Sequence, residues 1–164
     1  MKELNVESFI KHLNLQPHPE GGYYKEIYKC SKTSDFDGYH GKTRNLSTSI
    51  YYLLRSGDVS KFHQLLSDEI WYFHYGAPLN VCMIDNSGKF KSVHLGHRID
   101  IGQEPQLIIP AGTIFGAYLN EPDSFTLMGC MVSPGFDFKD FKLLNKNELI
   151  SKYPQHRQII EKLT

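Results

Sequence analysis

The strongest limit on the fold is a succession of short runs rich in β-branched and aromatic residues. They read "STSIYYLL", "VSKFHQLL", "EIWYFHY", "LNVCMI", "KFKSVHL", "PQLIIP", "IFGAYL" and "FTLMGCMV". Turn chemistry separates them, at Ser56-Gly57-Asp58, Asp85-Asn86-Ser87-Gly88, Pro110-Ala111-Gly112 and Glu121-Pro122-Asp123. At least eight short strands at such spacing predict an all-β domain, either a double-sheet jelly roll or a closed barrel. An up-and-down lipocalin-like barrel satisfies the same pattern, and connectivity alone does not exclude it.

Helical signals are confined to the two ends. Val6, Phe9, Ile10 and Leu13 share one face behind the capping candidate Asn5, which predicts a short helix over 5–14. Asn145 and Glu148 have capping-box spacing, and Pro154 can open a second turn, so helix is expected again over 145–163. No repeat or linker interrupts the chain. The expectation is one domain over 1–164, with a core barrel at about 22–142.

Charge narrows the partners. Lysine plus arginine and aspartate plus glutamate number 18 each, so no basic surface predicts nucleic acid or anionic lipid. The amphipathic start "MKELNVESFIKHL" has no continuous apolar core, so neither signal peptide nor membrane span is expected, and a cytoplasmic protein is. Cys30, Cys82 and Cys130 are far apart and odd in number, as buried free thiols would be. Aromatic residues on both faces of successive strands predict a homodimer.

One stretch carries chemistry: "GDVSKFHQLLSDEIWYFHYG", Gly57 to Gly76. The pattern Gly57, His63, Glu69, Gly76 resembles the first motif of the cupins, in which two histidines and a glutamate point into the barrel. Leu65 stands where the second histidine would be. The segment "PAGTIF" resembles the second cupin motif, with Phe115 in place of its metal histidine. Five further segments, "LQPHPEGGYYKEIY", "STSIYYLL", "SDEIWYF", "PQLIIPAGT" and "GCMVSPGFDFKDF", are similar in order to a family of small bacterial and fungal cupins. The resemblance implies a double-stranded β-helix, the cupin jelly roll, related to dTDP-dehydrorhamnose epimerases and usually dimeric. It brings no particular reaction with it. Tyr72 departs from the family pattern, which often has histidine there.

Strand alternation puts His63 and Leu65 on one face, and Glu69, Trp71 and Phe73 on one face of the next strand. With two of the usual ligands replaced, no tightly bound metal and no cofactor is expected. The expected pocket holds His63 as base, Glu69 as a buried acid in need of a partner, and Tyr118 or Tyr51 as proton donor. Ser49, Tyr51, Leu65, Trp71, Phe73, Gln106 and Phe115 are its candidate ligand-binding residues. His18 and Glu20 of "HPEGG" either lean over the mouth or lie in a solvated turn. Arg44 reads as a surface ion pair, and "PGFDFKDF" as a packed crossing segment. Two functions fit: a metal-independent epimerase or isomerase acting on a sugar or sugar nucleotide, and a non-catalytic ligand-binding or storage cupin.

Overall fold

The computed structural model describes residues 5–164. After helix α1 (Val6–Leu13) come strands β1 (Gln16–Pro17), β2 (Tyr23–Lys29), β3 (Thr33–Asp35), β4 (Thr43–Asn45), β5 (Thr48–Arg55), β6 (Val59–Gln64) and β7 (Asp68–Gly76). The chain continues through β8 (Leu79–Ile84), β9 (Phe90–Leu95), β10 (Gln106–Ile109), β11 (Ile114–Leu119), β12 (Phe125–Ser133) and β13 (Lys142–Leu143). It closes with α2 (Lys146–Lys152) and α3 (Arg157–Lys162). Asn5 caps α1 by accepting from the Ser8 amide, and Asn145 caps α2 by accepting from Asn147 and Glu148.

Strands pair in the order β1-β2-β5-β12-β7-β10 in one sheet and β13-β6-β11-β8-β9 in the other. Neighbours such as β5, β12 and β7 are not consecutive in the chain. That removes the up-and-down barrel and leaves the double-sheet jelly roll. Two helices fill the C-terminal stretch, as the second start at Pro154 implies, with a short 3-10 turn from Pro154 between α2 and α3. The small β3–β4 sheet was not legible in the sequence, because "TSD" and "TRN" lack apolar alternation. Among the described residues, no helix is long and apolar enough to cross a membrane.

Three apolar layers hold the sheets. Between them, Tyr52, Leu54, Trp71, Leu79, Val81, Phe115, Ala117, Met128 and Cys130 form the central core. Outside the six-stranded sheet, α1 packs Val6, Phe9, Ile10 and Leu13 against Leu53 and Leu127. Outside the five-stranded sheet, Leu149, Tyr153, Ile160 and Leu163 cover Phe62, Cys82, Ile84 and Ile114. Covering on both sides explains why β8 is buried along its whole length and reads as a continuous apolar run.

Candidate functional site

At one end of the barrel, a cavity of about 260 Å³ opens between the sheets. Its polar centre comes from three segments. The loop after β1 supplies His18 and Glu20, β6 supplies His63, and β7 supplies Glu69. The "HPEGG" segment therefore leans into the barrel. Its closeness needs glycine: at Gly21, φ is +118° and a Cβ would lie 2.0 Å from the Val59 carbonyl oxygen.

A bulge in β6 sets the dyad. Phe115 of β11 pairs with His63, and Ala117 with Ser60, so two residues of β6, Lys61 and Phe62, stand opposite one of β11, Gly116. Ser60 and His63 both turn inward as a result, while Phe62 joins the outer layer. Gly116 sits opposite the bulge, where a Cβ would come 2.6 Å from the Ser60 carbonyl oxygen.

Glu20 is buried, and both its oxygens are engaged. Ser60 Oγ donates to Oε1 at 3.0 Å, and His63 Nε2 lies 3.2 Å from Oε2. His63 Nδ1 lies 2.7 Å from the Lys61 carbonyl oxygen, which only accepts, so Nδ1 carries hydrogen. Nε2 faces Oε2 of Glu20 at 3.2 Å, which holds ring and carboxyl group together. His18 Nδ1 accepts from the Glu20 amide at 3.3 Å. Burial lowers the His18 pKa against the opposing pull of Glu20, and His63 lowers it further, which keeps the ring neutral.

Glu69 is the other pole. Trp71 Nε1 donates to its Oε1 at 2.8 Å. Burial first, and the charge of Glu20 second, raise its pKa to about 8, although the bonds from Trp71 and Cys130 pull the other way. At neutral pH it is a carboxylic acid. The partner that the buried Glu69 needs is therefore Trp71, while His63 pairs with Glu20.

The expected ligand residues divide. His18, Glu20, His63, Leu65 and Glu69 line the cavity. Phe115 lies beneath it, its ring 4.0 Å from that of His63, and Trp71 acts through Glu69. Ser49 and Tyr51 alternate with Thr48, Ile50 and Tyr52, which face the cavity, so they belong to the outer face, where Tyr51 packs near α1. Tyr118 is also outside, with Lys162 Nζ 3.1 Å from the centre of its ring, and cannot donate a proton in the cavity. Phe73 is partly buried at the edge of the core, its ring 5.7 Å from that of the exposed His97. Gln106 is exposed on β10 opposite Tyr72.

The wall that sequence reasoning missed is aromatic. Phe136, Phe138 and Phe141 of the crossing segment line the mouth with Tyr24 and Tyr52. Arg44 holds that segment: it is buried, not superficial, and its Nε and Nη2 donate to the two Asp140 oxygens at 2.7 Å each. The only signal for this wall was the phenylalanine spacing in "PGFDFKDF".

The residues do not suit a metal. Leu65 and Phe115 occupy the two positions where the resemblance expects histidine, and His63 is held by Glu20 and Lys61. Among the described residues, no group of three or more His, Cys, Asp or Glu side chains is arranged to hold an ion.

Comparison with known proteins agrees with the architecture. The yeast Saccharomyces cerevisiae has a relative, Uncharacterized protein YML079W, 32% identical over 152 residues, or 85% of this chain and 75% of that protein. The crystal structure of protein SO0799 from Shewanella oneidensis superimposes with a TM-score of 0.91 at 43% identity, over 99% of this chain and 98% of that one. Oxalate decarboxylase from Bacillus subtilis shares the fold alone, with a TM-score of 0.57 at 15% identity over 90% of this chain and 36% of that one. The family profile described as Cupin superfamily (DUF985) matches residues 7–144, and the chain belongs to that family.

Proposed function

We propose that the protein is a metal-independent isomerase or epimerase that moves a proton next to the carbonyl group of a small sugar-like compound. The observation that carries this reading is the coexistence, in one cavity, of a protonated acid and a hydrogen-bonded carboxylate. Glu20 takes a proton from the carbon beside the carbonyl. The C–H electron pair becomes the C=C bond of an enediol while Glu69 gives its proton to the carbonyl oxygen. Glu20 then delivers its proton to the former carbonyl carbon while the adjacent enediol hydroxyl gives its proton to Glu69, which leaves a carbonyl on the neighbouring carbon and restores both side chains. A carboxylic acid kept neutral by an apolar site is a known means of stabilising such oxyanions. His63 and Ser60 position Glu20, and the tyrosine expected as acid has no part.

The test is solvent exchange. Candidate sugars in deuterium oxide should acquire deuterium at the carbon beside the carbonyl, seen by NMR. Glu69→Gln and Glu20→Gln should each slow it about 100-fold or more, the usual worth of a general acid or base. A non-catalytic binding cupin is the second reading, favoured by the apolar lining from Ile50, Leu65, Val132 and the three phenylalanines. Binding without exchange would select it.

A further inference from the structure

The cavity also carries information about the charge of what enters it. We propose that the ligand is an uncharged, unphosphorylated hydroxy-carbonyl compound of about one sugar ring, and that sugar phosphates and sugar nucleotides are rejected. This rests on the isomerase reading of the same site and names its substrate class. It departs from the sugar-nucleotide expectation.

Four observations support it. First, the sixteen lining residues include three glutamates, Glu20, Glu26 and the protonated Glu69, but no lysine or arginine. Phosphate recognition depends on such cations or on clustered backbone donors. Arg44, the buried guanidinium nearest in role, is consumed by Asp140. Second, His63 is held by Lys61 and Glu20, and His18, whose Nδ1 accepts from the Glu20 amide, offers a ligand only a single neutral N–H.

Third, all three α-helices lie on the outer faces or flanks of the sheets, so no helix N-terminus points its amides into the cavity. A phosphate would meet the Glu26 carboxylate at the rim with nothing to neutralise it. Fourth, 260 Å³ lies just below the roughly 300–1,000 Å³ typical of small-molecule sites. The flat faces of Tyr24, Tyr52 and Phe138 suit the apolar face of a sugar ring, and the acids suit its hydroxyls.

The experiment uses matched pairs on the full chain: D-glucose, D-fructose and L-rhamnose, each beside its phosphate monoester, with dTDP-glucose and inorganic diphosphate. Binding is read from the fluorescence of Trp71, the single tryptophan, and from the melting temperature. At least one free sugar should bind, and its phosphate should bind roughly tenfold more weakly or worse, because like charges brought together at a binding site cost more than a factor of ten. Glu26→Lys should narrow that gap by strengthening binding of the phosphate relative to its parent sugar. Tighter binding of any phosphate than of its parent, competition by diphosphate, or no binding by any free sugar would overturn the proposal. The two readings fail separately. A free sugar bound without deuterium exchange defeats the isomerase reading alone, whereas exchange on a phosphorylated sugar defeats the substrate class alone.

Discussion

Trp71 donates its indole hydrogen to Glu69 at 2.8 Å, so the single tryptophan of the chain senses the charge of the acid at the cavity floor. A titration of the intrinsic fluorescence should therefore show a transition near pH 8, where the buried carboxyl ionises. Glu69→Gln should abolish it. The same acid links folding to pH. Its pKa is higher folded than unfolded, so above about pH 5 the folded chain holds a proton that the unfolded chain has lost. Stability should fall by about 1.4 kcal/mol per pH unit toward the midpoint and level off above it. The lowered pKa of His18 acts only below its ordinary value near 6.5. Burial also raises the Cys82 and Cys130 thiols, which add their own fall near pH 9. Urea denaturation between about pH 6.5 and 8 of the native chain beside Glu69→Gln therefore reads the Glu69 contribution, and identical profiles would contradict it.

His63 and Glu20 should separate structure from chemistry. His63 is buried, bonded at both nitrogens and packed on Phe115 and Phe141. His63→Ala should lower unfolding stability by about 1–3 kcal/mol, because the Lys61 carbonyl and Glu20 lose their partner. Glu20→Gln keeps the shape and an oxygen for Ser60 Oγ, so it should remain folded and lose proton transfer. Chemical denaturation and the deuterium exchange assay distinguish the two outcomes.

Metal binding should depend on two substitutions together. After dialysis against a mild chelator, the native chain should carry much less than one metal ion per molecule by elemental analysis. Leu65→His with Phe115→His should raise zinc or cobalt content toward one, since both side chains lie beside His63. No gain in the double variant would show that the strand frame differs from that of metal-binding cupins.

Asp140 should matter more than its distance from the chemistry suggests. Asp140→Ala leaves the Arg44 guanidinium buried without its carboxylate, which costs about 3–5 kcal/mol. It also frees the segment bearing Phe136, Phe138 and Phe141. Limited proteolysis should cut first near that segment, and ligand affinity should fall. Unchanged resistance would mean that the phenylalanines anchor it unaided.

Homodimerisation should use the open edge of β2. Among the described residues, β1 pairs only with Tyr23 and Tyr24, which leaves the edge of Lys25–Lys29 away from β5 open, with Ile27 and Tyr28 exposed on it. An exposed apolar strand edge invites a second strand. Sedimentation should show a dimer in the native chain and a monomer in Ile27→Lys. A monomer in both would refute it.

The chain alone settled local structure. Strand runs, turns and helix caps follow from periodicity, φ preferences and short-range hydrogen bonding, and Asn5, Asn145 and the β8 run "LNVCMI" were readable on those grounds. His63, Leu65 and Glu69 were also legible as inward residues. What only the tertiary structure decided was which side of a doubly covered strand faces the cavity. In β11, Phe115 and Tyr118 are both apolar enough to be buried, because helices cover one face and the opposite sheet the other. No pattern in "IFGAYL" tells which is which. The β6 bulge moves Ser60 into phase with His63, and the meeting of Glu20 with His63 joins a loop to a strand far along the chain. Such contacts arise from three-dimensional closure. Their free energy comes from partners that are distant in sequence, and so it leaves no local trace.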